Sequence, residues 1–129
     1  MTAPGWVLDA SALLVLLLDE PGATLVEEHL DAASMSAVNW CEAYGKLRAA
    51  GVPKPELSTG MADLGIAVVP FDTEQAYAAG DLLPHVQQAG LSLADRACLA
   101  LALRLGVPAV TADTAWGNVS VGVDVIYVR

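Results

Sequence analysis

Trp6-Val7-Leu8-Asp9-Ala10-Ser11 is the stretch from which the rest of the chain is read. Three apolar residues run directly into one acid, Pro4-Gly5 punctuate the start, and a helix-like pattern follows. This predicts a short buried strand feeding a helix. In open α/β sheets, ligands gather just past the carboxyl ends of the strands. Asp9 stands at such an end.

The same grammar repeats downstream. Residues 13–18 form an apolar run too short to span a bilayer, with no Lys or Arg before it as a signal peptide requires. A buried helix is the better reading, and the lack of a targeting segment points to the cytoplasm. Asp19-Glu20-Pro21-Gly22 breaks that helix, and residues 23–33 continue as an amphipathic one. Residues 34–36 read as a very short strand. Helices are expected over about 37–50 and 55–64, and a strand over 66–69. A helix over 73–89 has Thr73 as candidate N-cap and is weakened or divided by Gly80 and Pro84. A further helix follows Leu91-Ser92 and ends at Gly106. Strands are expected over 109–111 and 123–128, with one helical turn between, at 113–117. Short apolar strands alternating with helices indicate α/β architecture, a mainly parallel sheet covered on both faces.

Composition bounds what this fold can do. The chain has 129 residues and is 55% hydrophobic, which argues against disorder and predicts one compact domain over 1–129. With few aromatics, the core has to be built mostly from Ala, Val and Leu. Cys41 and Cys98 share no metal-binding spacing and are expected to be buried, reduced thiols. The net charge of −9 keeps the protein soluble and repels nucleic acid at long range. That disfavours a simple nucleic-acid-binding module. It weighs less against a metal-dependent nuclease, because a bound cation inverts the local field.

Four acids stand out: Asp9, Glu42, Asp95 and Asp113. Each has a structural explanation. Asp9 and Asp113 can be N-caps, as can Ser11. Asp95, three residues after Ser92, matches a capping box. Glu42 precedes Lys46 by four residues, a favourable helix pair. Together they say more. Three of them fall where a strand ends or a helix begins, on one edge of a parallel sheet. Glu42 lies among Trp40, Cys41, Ala43, Tyr44 and Leu47, and Asp95 is embedded in apolar sequence likewise. Carboxylates gathered together force one to hold a proton unless a cation is present. All-oxygen ligands suit Mg²⁺ or Mn²⁺, whereas Zn²⁺ favours His or Cys. Neither His29 nor His85 has ligand spacing to another candidate.

On these residues the chain resembles the PIN-domain ribonucleases, and most closely the VapC toxins of toxin–antitoxin pairs. Four segments carry the resemblance: 7–12 (Val-Leu-Asp-Ala-Ser-Ala), 36–42 (Ser-Ala-Val-Asn-Trp-Cys-Glu), 91–97 (Leu-Ser-Leu-Ala-Asp-Arg-Ala) and 106–116 (Gly-Val-Pro-Ala-Val-Thr-Ala-Asp-Thr-Ala-Trp). They cover nearly the whole chain, in order. The resemblance implies a three-layer α/β/α sandwich and an endoribonuclease site in which Asp9, Glu42, Asp95 and Asp113 are catalytic and hold Mg²⁺ or Mn²⁺. It also implies an RNA substrate, a VapB-type antitoxin with a basic tail, and a homodimer. Where many relatives carry a further acid, this chain has Trp116, Gly117 and Asn118, so no ligand for a second ion is implied there. Asp124 is expected on or beside the last strand. Ser11 and Thr111 are hydroxyl candidates for the site or for capping.

Other readings explain less. Aspartyl-phosphate phosphatases want an acid two residues after Asp9, and Ser11 is there. A receiver domain needs a lysine on a late strand, and the only lysines are Lys46 and Lys54. The remaining rival is a catalytically inactive protein of the same fold, acting through interactions, with the acids as caps. Lys46, Arg48, Arg96 and Arg104 are the only candidates for a basic cluster, which predicts weak RNA binding without metal.

Overall fold

The computed structural model describes residues 5–129. Pro4, half of the expected Pro4-Gly5 punctuation, lies outside them. Five strands form one parallel sheet: β1 (Trp6–Leu8), β2 (Ala33–Ser36), β3 (Ala67–Val69), β4 (Ala109–Thr111) and β5 (Val125–Tyr127), in the order β3-β2-β1-β4-β5. Six helices cover its faces among the described residues: α1 (Ala10–Leu17), α2 (Ala23–Glu28), α3 (Ala37–Ala49), α4 (Lys54–Ala62), α5 (Thr73–Val86) and α6 (Leu93–Leu105). A 3-10 turn, Thr114–Asn118, follows β4.

Strand alternation divides the interior between the two faces. On one face, Leu8, Met35 and Val110 pack with α1–α4; on the other, Val7 and Ala109 pack with α5, α6 and Trp116. The fold is therefore a three-layer α/β/α sandwich. Leu13 and Val15 of the early apolar run are buried in the first core, as a buried helix requires. The buried core is mostly Ala, Val and Leu, and Trp116, 1% exposed, joins its second half.

The boundaries differ from expectation where a cap or turn decides them. α1 starts at Ala10, because Asp9 caps it. α2 stops at Glu28, and the chain turns through Ala32, whose φ is 60°, before entering β2 at Ala33. Asp72, not Thr73, caps α5, accepting from the Gln75 N–H at 2.9 Å. α5 runs through Pro84 undivided, since buried Ala79, Leu82 and Val86 hold both sides of the missing hydrogen bond. Cys98 is buried, but Cys41 is exposed. The buried stripe of α3 is Asn39, Ala43 and Leu47, and Cys41 lies two residues, about 200°, around the helix from Asn39.

The strand order places the site. From β1 the chain moves outward to β2 and β3, then returns to lay β4 on the opposite side of β1. The β1–β4 boundary is thus the topological switch point, where the connections diverge and where open α/β sheets generally bind ligands past the carboxyl ends of their strands. Asp9 directly follows β1 there, and Thr111 ends β4.

Candidate active site

Asp9 is 2% exposed. Its Oδ1 accepts from the Ala12 N–H at 2.8 Å, the cap of α1, and from the Ser11 hydroxyl at 2.7 Å. Its Oδ2 accepts from the Thr111 hydroxyl across the switch point. Each hydroxyl has one proton, and both protons go to Asp9, so the 3.2 Å Ser11–Thr111 approach is a contact and not a further bond. Both hydroxyl oxygens in turn accept backbone donors: Ser11 from Ala112 N–H at 2.9 Å, Thr111 from Asp113 N–H at 3.0 Å. The two hydroxyls therefore lock β1, α1 and the β4 exit around one carboxylate.

Burial pushes the Asp9 carboxyl up to about 6 from its ordinary 3.8. The hydrogen bonds of Thr111, Ala12 and Ser11 oppose that rise, and the charge of Asp95 adds to it. Asp95 thus acts on Asp9 from α6. Beneath them both, Cys98 is fully buried, and burial with the charges of Asp9 and Asp95 pushes its thiol well above the ordinary value. That thiol is inert at neutral pH.

Every structural role foreseen for the four acids is filled. Asp9 caps α1, and Asp113 caps the 3-10 turn through the Ala115 N–H at 2.9 Å. Ser92 and Asp95 form a reciprocal capping box, at 2.9 and 3.2 Å. Glu42, its side chain 38% exposed, faces Lys46 at 3.8 Å. Capping nonetheless leaves oxygen free. A carboxylate offers two lone pairs on each oxygen. Asp9 keeps one on Oδ2, while Asp95 Oδ1 and Asp113 Oδ2 accept nothing among the described residues.

Asp9 and Asp95 are within each other's field; Asp113 is tied to the Thr111 hydroxyl by its backbone N–H, and its carboxylate caps the following turn. Glu42 remains with Lys46. Among the described residues, no three His, Cys, Asp or Glu side chains converge closely enough to hold a metal by themselves. The donor chemistry fits Mg²⁺ or Mn²⁺: oxygen only, with one or two direct carboxylates for an ion that keeps several of its waters. Zn²⁺ does not fit. His29 Nδ1 bonds the Leu25 carbonyl at 2.7 Å and its ring meets Trp6 edge-on at 4.5 Å, while His85 is exposed on α5.

One site-forming residue escaped the sequence reading. Asn39, 1% exposed, donates from Nδ2 to the Ala94 carbonyl at 3.0 Å and ties the first turn of α3 to the first turn of α6. It stands one helical turn before Glu42, and its acceptor immediately precedes Asp95. A polar residue on an otherwise apolar helix stripe was the available signal.

The basic residues are mostly committed elsewhere. Arg96 donates to the Ala79 carbonyl at 3.0 Å, Arg48 to the Val52 carbonyl at 3.0 Å, and Arg104 pairs with Asp72 at 3.7 Å. They form no basic patch around the acids.

The PIN domain family model matches residues 6–121. Among curated protein sequences, none matches the chain. Among solved structures, a chain of DNA-bound VapBC from Salmonella typhimurium is similar at a TM-score of 0.76 and 14% identity, over 98% of this chain and 100% of that one. A chain of a toxin–antitoxin complex from Klebsiella pneumoniae is similar at 0.71 and 20%, over 97% and 98%. The Mycobacterium tuberculosis toxin VapC20, described as cleaving the sarcin-ricin loop, is similar at 0.69 and 13%, over 93% and 99%. These likenesses establish a common fold. With the family match spanning almost all of the sequence, the chain belongs to the PIN-domain family.

Proposed function

We propose that the protein is a Mg²⁺- or Mn²⁺-dependent endoribonuclease of the cytoplasm, hydrolysing RNA phosphodiester bonds as the VapC-type toxin of a toxin–antitoxin pair. The observation that carries this is Asp9: a buried carboxylate at the switch point, oriented by two hydroxyls, held in the field of Asp95 and left with one free lone pair. Such an arrangement is costly for a mere cap, which surface aspartates or serines provide without burying charge.

In this reading Asp9 and Asp95 would hold the ion directly, and Glu42 and Asp113 would complete its shell, through water or a second ion, or position the attacking water. The ion, when bound, lowers the pKa of a water and neutralises charge on the phosphate. Ser11 and Thr111 keep Asp9 in one rotamer. Asn39 keeps the Glu42 and Asp95 helices in register. The acids suit the basic segment of a VapB-type antitoxin, and the neighbouring VapBC complexes support such a partner; the proposed assembly is a homodimer.

The competing reading, an inactive PIN-fold interaction protein, is favoured by the complete set of caps. Cleavage of RNA by the wild type in Mg²⁺ or Mn²⁺, tested against EDTA and against Asp95→Asn, decides between them. Metal-dependent cleavage that disappears in the variant establishes the nuclease. A folded wild type with no Mn²⁺ binding by calorimetry and no cleavage establishes the interaction protein.

A further inference from the structure

Among the described residues, three buried side-chain atoms have no hydrogen-bond partner: Asn39 Oδ1, Arg96 Nε and Trp116 Nε1. A buried polar atom left alone carries its full desolvation cost, so each one calls for a reason. Arg96 and Trp116 leave donors unpaired, Arg96 beside α5 and Trp116 in the second core. A donor has nothing to offer a cation. Asn39 leaves an acceptor, and it is the one of the three that stands among the acids.

Its place follows from the topology. β2 runs parallel beside β1, and Asn39, 1% exposed, lies on the first turn of α3, directly after β2. That turn is at the sheet edge where Asp9 follows β1. Nδ2 donates at 3.0 Å to the carbonyl of Ala94, the residue before Asp95. Glu42 comes three residues after Asn39, a neighbour on the helix surface. One carboxamide therefore joins the turn that leads to Glu42 with the turn that carries Asp95. The hydroxyls capping these two helices, Ser36 and Ser92, accept from backbone N–H groups and do not donate to Oδ1. The tie between the helices uses the nitrogen end of the amide, and the oxygen end is unspent.

We propose that Asn39 Oδ1 accepts a hydrogen bond from a water of the divalent ion at Asp9 and Asp95, so that Asn39 positions that water as well as tying α3 to α6. The inference rests on the metal-dependent reading of the site. An ion of the Mg²⁺ type bound by one or two carboxylates keeps several waters, and each has protons to place. A neutral amide oxygen takes one of them without adding charge where carboxylates already repel.

The two ends of the amide can be tested apart. Asn39→Ala loses both. Asn39→Asp keeps the shape and the acceptor, loses the donor and adds a charge. Cys41→Asp, at an exposed position of the same helix, adds that charge away from the buried stripe and reads the general field. Mn²⁺ affinity is measured by calorimetry in metal-free buffer at pH 7.5, with melting temperatures taken with and without Mn²⁺. Asn39→Ala is expected to weaken Mn²⁺ binding roughly 10–100-fold. Asn39→Asp is expected to melt lower than the wild type without metal. It should bind Mn²⁺ more tightly than Cys41→Asp does and gain more in melting temperature on adding it. If Asn39 is a tie and nothing more, Asn39→Asp loses the Ala94 bond as Asn39→Ala does and binds Mn²⁺ no better than Cys41→Asp. That result overturns the proposal and leaves the metal site standing. Binding unchanged in Asn39→Ala overturns it too, as does an Asn39→Asp protein that stays unfolded in Mn²⁺, because an acceptor facing a dication tolerates the added charge. A folded wild type that binds no Mn²⁺ removes the metal-dependent reading, and this inference with it.

Discussion

Asp9 combines burial, three hydrogen bonds and a neighbouring charge, so its ionisation is coupled to folding. The folded protein holds the Asp9 proton more tightly than the unfolded chain, about 6 against 3.8. Stability from this group is therefore fully present below pH 4 and is lost as pH rises through 6, by about 3 kcal/mol in the metal-free protein. A dication beside Asp9 favours its charged form. Thermal melts between pH 4 and 8 are expected to show metal-free stability declining toward neutrality and Mg²⁺ or Mn²⁺ restoring it above pH 6. Asp9→Asn removes the buried charge and keeps an oxygen for the Ala12 cap. At pH 7.5 this variant is expected to be more stable than the metal-free wild type by roughly 1–3 kcal/mol, with no response to Mg²⁺. Its RNA cleavage is expected to fall by more than the roughly 10–100-fold that losing an outer-sphere partner costs. An unchanged melting curve together with full activity would remove Asp9 from the site.

Helix termini and one glycine turn set the geometry at the element scale. The Ser92–Asp95 box fixes the first turn of α6 and with it the free Oδ1 of Asp95. Ser92→Ala leaves the Asp95 N–H without its partner and is expected to cost about 1 kcal/mol, a fall of a few degrees in Tm. It should also weaken Mn²⁺ binding measured by calorimetry, because Asp95 loses half of its anchoring. Gly22 lies at φ 105°, and a Cβ there would sit 2.2 Å from the Val128 carbonyl oxygen. Backbone on both sides cannot yield as a side chain can. Gly22→Ala is therefore expected to destabilise by more than about 2 kcal/mol in denaturant titration and to detach the end of β5, without touching the acids.

Net charge governs encounters at the scale of the whole molecule. A protein of net charge −9 and an RNA repel each other, while the same protein and a basic antitoxin segment attract. Salt screens both interactions over about 8–10 Å near physiological ionic strength. Raising KCl from low levels to physiological strength is thus expected to speed association with an oligoribonucleotide at fixed Mg²⁺ and to slow association with the antitoxin. Stopped-flow measurements with each partner check the two opposite signs. Equal slopes of one sign would mean that the contact surfaces, and not the overall field, decide both encounters.

Much of this was legible along the chain. An apolar triplet ending in Asp9, the Ser92–Asp95 spacing, Gly106 after a long apolar helix and the strand–helix alternation are local signals, because capping, turn chemistry and periodicity act within a few residues. They are enough for an α/β sandwich with acids at the strand ends. The sequence could not show that Cys41 turns outward while Asn39 turns in, because helix phase is set by what the helix packs against. Nor could it show that Asp72 and not Thr73 caps α5, since both residues cap well. The strand order was beyond it too, because pairing β1 with β4 joins residues about a hundred positions apart. Only that pairing brings the Thr111 hydroxyl to Asp9 at the switch point. Residue types chose the candidate ligands and local spacing chose the caps. Burial, which depends on the whole fold, raised the Asp9 pKa and set one aspartate apart from the other three acids.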